Sequence, residues 1–170
     1  MRKIIFILVM APLFVMAQTN SVFIKLTDAG GKQIRGEAVM KGFEGAIQAN
    51  SINSSGKNNT QTSFTMLVSG ASADLKRAMA SGEFLSSAEV SVLSSNQSAG
   101  SPLLYTIKME QIRVTACTEA MGCNNSMSTS VSLQATRIGW TYYSINRSGV
   151  NAVSRKYGWN VDTGVEWTNF

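Results

Sequence analysis

Two cysteines are the residues in this 170-residue chain whose type and spacing point most directly at covalent chemistry. Cys117 and Cys123 lie in CTEAMGCNNS, which carries Gly, Asn and Ser and reads as a loop. In an exported protein two nearby cysteines pair. A Cys117–Cys123 bridge would contribute about 2 kcal/mol by the chain-entropy argument. Two free thiols, or pairing between chains, are the alternatives. Histidine is absent. That excludes a Ser-His-Asp triad, a His-assisted cysteine nucleophile and every His-containing metal site. Two cysteines are too few for a Cys-only zinc site, and no phosphate-cradling or dinucleotide glycine motif occurs. A Ser-Lys nucleophile is the one hydroxyl chemistry the composition leaves open. The ten carboxylates show no spaced acid pair of the kind glycoside hydrolysis needs. No catalytic residue, metal site or cofactor is predicted.

The start of the chain, MRKIIFILVMAPLFVMAQ, has Arg2 and Lys3 followed by thirteen apolar residues, Ile4 to Met16. A bilayer span needs about twenty. Val15-Met16-Ala17 supplies acceptable residues before a cut, so residues 1–17 read as a signal peptide cleaved between Ala17 and Gln18. No cysteine follows the cut to carry a lipid, and no membrane anchor is expected after cleavage. The protein is then periplasmic or secreted. The remaining residues 18–170 make one domain, large enough to bury a core. Its net charge is +3. The basic residues are scattered, Lys76-Arg77 and Arg155-Lys156 being the tightest pairs, with no aromatic-interleaved basic stripe. Nucleic-acid binding is not expected.

The elements are mostly β. SVFIKLTD alternates Val22, Ile24 and Leu26 against Phe23 and Lys25; TSFTMLVSG places Phe64, Met66 and Val68 on one face; SSAEVSVLSS alternates Ala88, Val90 and Val92 with polar residues. LLYTIKMEQIRVTAC is one long strand or two with a kink near Glu110-Gln111. Its inward positions are Tyr105, Ile107 and Met109, then Ile112, Val114 and Ala116. MSTSVSLQATRIGWTYYSIN offers Val131, Leu133 and Ala135, then Ile138, Trp140 and Tyr142. SADLKRAMASGEF breaks the pattern. Ser72 as cap, Asp74 in the first turn, Leu75, Ala78 and Met79 at helical spacing and Gly82 as stop predict one short helix over about residues 73–81. The fold class is mostly β, a barrel or tight sandwich with one helix.

The order of these pieces, the SVSLQATRIGWTYY run and the Gly158-Trp159-Asn160 triplet within RKYGWNVDTG resemble Hcp, the haemolysin-coregulated protein family of type VI secretion tubes. The likeness spans about residues 20 to 163. It implies a compact β-barrel of two packed antiparallel sheets with one helix at its side, and self-association into rings of six. It also implies rings that stack or hold small effector proteins in the lumen, alongside other secretion-system components, and no catalysis. The family's rings suggest a long early loop as the joint, here AGGKQIRGEAVMKGF. Two departures stand out. Family members often carry a glutamate before the SVSL-type strand, where this chain has Ser128 to Ser130. The family's tube proteins also lack a signal peptide. Either this is a ring-forming relative used in the envelope or outside the cell, or the apolar start has another meaning. A second reading is a secreted monomeric barrel binding a small ligand or surface partner, with Trp140, Tyr142, Tyr143, Trp159 and Trp167 as pocket candidates. Alternation assigns Trp140 and Trp159 to the core instead.

Overall fold

The computed structural model describes residues 20–55, 60–94, 102–122, 125–145 and 151–170. The leader, the Ala17–Gln18 junction and Cys123 lie outside these residues. The chain forms β1 (Ser21–Thr27), β2 (Gln33–Ile34), β3 (Ile47–Ser54), β4 (Gln61–Leu67), α1 (Gly70–Ser81) and β5 (Phe84–Leu93). It continues with β6 (Leu103–Met121), β7 (Met127–Ile145), β8 (Asn151–Asn160) and β9 (Val165–Glu166). One antiparallel sheet runs β4-β3-β1-β5-β6-β7 and closes on itself because β7 also pairs β4, giving a six-stranded barrel. β8 and β9 extend the sheet beyond β7, and β2 pairs β1. The mostly-β barrel with a single helix among the described residues is the predicted architecture.

Closure depends on β7 changing partner half-way. Gln61 to Leu67 pair with Gln134 to Ser128, whereas Arg137 to Ile145 pair with Asn160 to Asn151. At the junction the Ala135 N–H donates to the Thr60 carbonyl, and the Val161 N–H donates to the Thr136 carbonyl at 2.9 Å. Opposite, Gln111 in β6 takes a left-handed φ of 50°. This is the expected kink, and the inward set steps there from Met109 to Ile112 and from Ala135 to Ile138. A second irregularity, between Val114 and Ala116 in the register with β7, was not legible in the sequence. It shifts the phase again, so Cys117 rather than Ala116 turns into the core.

The core joins Val22, Ile24 and Leu26 with Phe64, Met66, Leu85, Val90, Ile107, Ile112, Val131, Leu133 and Ile138, all buried. The helix is longer at its start than the sequence suggested. Its cap is Ser69, not Ser72. Ser72 is the third helical residue; its hydroxyl accepts the Ser69 N–H at 3.2 Å and meets the Thr129 hydroxyl at 2.9 Å. Asp74 therefore stands in the second turn, where it pairs with Arg77 at 3.3 Å. Ala71, Leu75 and Ala78 form the buried stripe, while Met79 is exposed. Gly82 ends the helix with φ 68°, as expected. Lys76 reaches Glu119 on β6 at 2.7 Å, tying the helix to the barrel.

A side chain other than glycine in the left-handed region costs of order 1–2 kcal/mol, and a β-branched one fits worst there. Gln111→Gly is therefore expected to leave stability unchanged or raise it by up to about 1 kcal/mol, and Gln111→Val to lower it by about 1–2 kcal/mol. Urea denaturation followed by circular dichroism measures both.

Candidate functional site: the covered outer face of the barrel

The outer face of β1, β5, β6, β7 and β8 carries the most elaborated surface of the molecule. Its rows follow from the register. Phe23, Ser91, Thr106, Thr141 and Lys156 stand side by side. The next row is Lys25, Glu89, Lys108, Gly139 and Gly158. The third is Thr27, Ser87, Glu110, Arg137 and Asn160. The Phe23 end of the first row is covered by a loop over residues 36–46. Phe43 stacks on Phe23 with centroids 4.7 Å apart, and Ala38, Ala46 and Leu93 are buried beside them. Lys25 Nζ donates to the Gly42 carbonyl at 3.0 Å, and Gln33 Nε2 donates to that of Gly45 at 2.9 Å. Alternation on β1 assigned Phe23 to the polar side; the loop makes that side a second small core. The expected joint, AGGKQIRGEAVMKGF, thus divides in two. Its base is fixed to the barrel, while at its tip Val39 is 91 % exposed and Met40 also faces solvent.

The opposite end of this face is covered by residues 167–170. The Trp167 N–H donates to the Gly158 carbonyl at 3.0 Å, and the Phe170 ring lies across Gly139 and Gly158. A Cβ on Gly139 would stand 2.5 Å from that ring; one on Gly158 would stand 2.3 Å from the Trp167 carbonyl oxygen. Lys156 Nζ lies 4.1 Å from the Phe170 ring centroid and donates to the Thr168 and Phe170 carbonyls at 3.2 and 2.5 Å. Between loop and tail remains a cleft of about 390 Å³, bordered by Lys25, Glu89, Lys108, Gln33, Trp167 and Phe170.

The five aromatic pocket candidates do not converge. Of them only Trp167 borders this cleft. Trp140 is half-buried against the core; its indole N–H donates to Ser54 Oγ at 3.3 Å and its ring stacks on Tyr157. Trp159 is half-buried opposite Glu166 of β9. Tyr142 is exposed beside Tyr105, whose phenol is pushed up in pKa by burial and then by Tyr142. Tyr143 is half-buried. At one end of the barrel Leu67, Val68, Met121 and Met127 form an exposed apolar cluster, with the Val68 N–H on the Met127 carbonyl. Position of this cluster follows from pairing, which sequence alone could not supply.

The first half of CTEAMGCNNS is not the loop that its composition suggested. Cys117 to Met121 belong to β6, and Cys117 is a buried free thiol inside the core cluster. Burial pushes its pKa up, Lys76 nearby pulls it down, and Glu119 raises it. Ser128 to Ser130 pair with both β4 and β6, and Thr129 turns inward to Ser72. Among the described residues no three metal-ligating groups gather, and no helix is long and apolar enough to cross a membrane.

The profile of the family described as type VI secretion system effector, Hcp, matches residues 23–142. A comparison with curated proteins gives no match. Among solved structures, Hcp1 from Salmonella typhimurium shares 18% identity, over 87% of this chain and 99% of that one, with a TM-score of 0.67. A structure described as a type six secretion system protein shares 16% over 86% and 99%, with a TM-score of 0.71. A type VI secretion system effector from Yersinia pestis shares 15% over 82% and 99%, at 0.65. These likenesses are of fold.

Two measurements test the placement of residues 167–170 and of Cys117. Gly158→Ala is expected to lift residues 167–170 from the sheet, destabilise the protein by about 1–3 kcal/mol as overpacking does, and red-shift Trp167 emission. In reduced protein, Cys117 is expected to react with iodoacetamide at pH 8 at least about tenfold more slowly than an exposed thiol, because burial withholds the thiolate. Peptide mass mapping reads it.

Proposed function

Because the chain belongs to the Hcp family of type VI secretion proteins, we propose that it acts by self-assembly, closing into rings of six copies that stack or enclose effector cargo. The family profile covers most of the barrel, from Phe23 to Tyr142, and that match supports a structural rather than a catalytic role. The observation that carries ring formation is the loop over residues 36–46. Its base is buried and hydrogen-bonded, yet its tip holds Val39 almost fully in water. Burying a valine side chain contributes about 1.5–3 kcal/mol. Cyclic symmetry repeats that gain at every joint of a closed ring. The exposed Leu67, Val68, Met121 and Met127 at one barrel end suit the stacking of one ring on another.

The leader over residues 1–17, cleaved before Gln18, directs this ring to the periplasm or the outside of the cell. Assembly there follows export of single subunits. Cytoplasmic tube building is then not the role of this chain. Secretion-system components and small effector proteins are its proposed partners, and nucleic acid is not among them.

Light scattering on a sizing column is expected to give the purified protein a mass of about six subunits. Val39→Asp with Met40→Asp is expected to give a single-subunit mass with an unchanged circular dichroism spectrum. A wild-type monomer at high concentration sinks the ring reading. A ring that survives the double substitution sinks the loop as its joint.

A further inference from the structure

We infer that the cleft between the 36–46 loop and residues 167–170 binds a small dicarboxylate that also carries an ammonium group, an acidic amino acid being the simplest such ligand. Across its floor, Lys25, Glu89 and Lys108 occupy one row on three neighbouring strands. The outer two are about 10 Å apart, two strand spacings. The order of charge is plus, minus, plus, so the complementary ligand presents carboxylate, ammonium, carboxylate.

The row is not a set of ion pairs. Among the described residues, neither Glu89 nor Lys108 has an ion-pair partner within 4 Å. Lys25 donates one N–H to the Gly42 carbonyl and lies 5.5 Å from the Phe43 ring centroid, and no carboxylate lies within 4 Å of it among the described residues. Glu110, which also lines the cleft, is held by Arg137 at 2.8 Å and is neutralised there. The net charge left facing the cleft is therefore positive. Thr27 and Ser87 add hydroxyls to the floor.

The walls are built rather than incidental. Trp167 and Phe170 line one side, and Phe170 reaches it only because Gly139 and Gly158, next in the same row as Lys108, leave room for the ring. On the opposite side the cleft is lined by Lys25 and Gln33, which donate to the Gly42 and Gly45 carbonyls of the 36–46 loop. A cleft of about 390 Å³ is at the small end of ligand-site sizes and suits a molecule with few heavy atoms. The aromatic wall offers its apolar surface to the ligand's methylene groups. This site lies within one chain and does not depend on ring formation.

Equilibrium dialysis of the purified protein against radiolabelled L-glutamate tests it. One saturable site per chain is expected, half-filled near about 1 mM, with weaker uptake as salt is raised. L-glutamine, lacking the second carboxylate, is expected to compete at least about tenfold less well. Lys108→Gln and Glu89→Gln are each expected to weaken uptake about tenfold or more while keeping the wild-type spectrum and light-scattering mass. Lys108→Arg, which keeps the charge, is expected to retain it. Absence of saturable uptake up to about 10 mM, or uptake unchanged in either neutral variant, overturns the proposal. So does a variant that alters the light-scattering mass without any glutamate uptake in the parent, since the cleft is then an interface between copies.

Discussion

The partner exchange along β7 is the constraint on which the structure depends. Its lower half must pair with β4 for the barrel to close, and its upper half must pair with β8 for the outer face to widen. Both halves share β6 as their other neighbour. A strand cannot serve two partners on one edge at the same level, so β4 begins where β8 ends. The Thr60 and Thr136 carbonyls take the N–H groups at that seam, from Ala135 and Val161. Buried backbone groups left unpaired there would be costly, and these two hydrogen bonds satisfy four of them.

The kink opposite the seam follows from the same geometry. Closing a sheet into a barrel requires strands to coil and tilt, and irregular residues supply the bend. Gln111 turns the long β6 strand between its two jobs, and the irregularity at Val114 to Ala116 turns it again under the helix. Each shift resets which side chains face inward. The second puts a cysteine among Leu75, Val131 and their neighbours, where it packs as a small apolar residue. The helix then seals that end through Ala71, Leu75 and Ala78, with the Ser72–Thr129 hydroxyl pair and the Lys76–Glu119 ion pair fixing its position.

Extension of the sheet by β8 also creates a wide outer face, and two pieces of chain fold onto it from opposite sides. The early loop anchors through aromatic stacking on Phe23, and the tail through the slot left by two glycines. What they leave uncovered is the Lys25–Glu89–Lys108 row. The loop that holds Lys25 and Gln33 of the cleft through its carbonyls also presents Val39 to solvent. Ring joint and ligand cleft would therefore share a rigid base, and occupation of one has a physical route to influence the other.

Amino-acid sequence by itself determined the fold class, because period-two alternation survives wherever a strand has one buried and one wet face. Val22, Ile24 and Leu26, or Ala88, Val90 and Val92, needed no partner to be read. It also determined one helix, its glycine stop and the exclusion of histidine chemistry, since composition carries those directly. Tertiary structure alone decided the rest. Phe23 looks outward until the loop covers it; Cys117 looks like a loop residue until a register shift turns it inward; Ser72 looks like a cap until Ser69 proves to precede it in the fold. Lys25, Glu89, Lys108, Gly139 and Gly158 are scattered over more than 130 positions of sequence. They become one row only through strand register, a long-range property that no local pattern encodes.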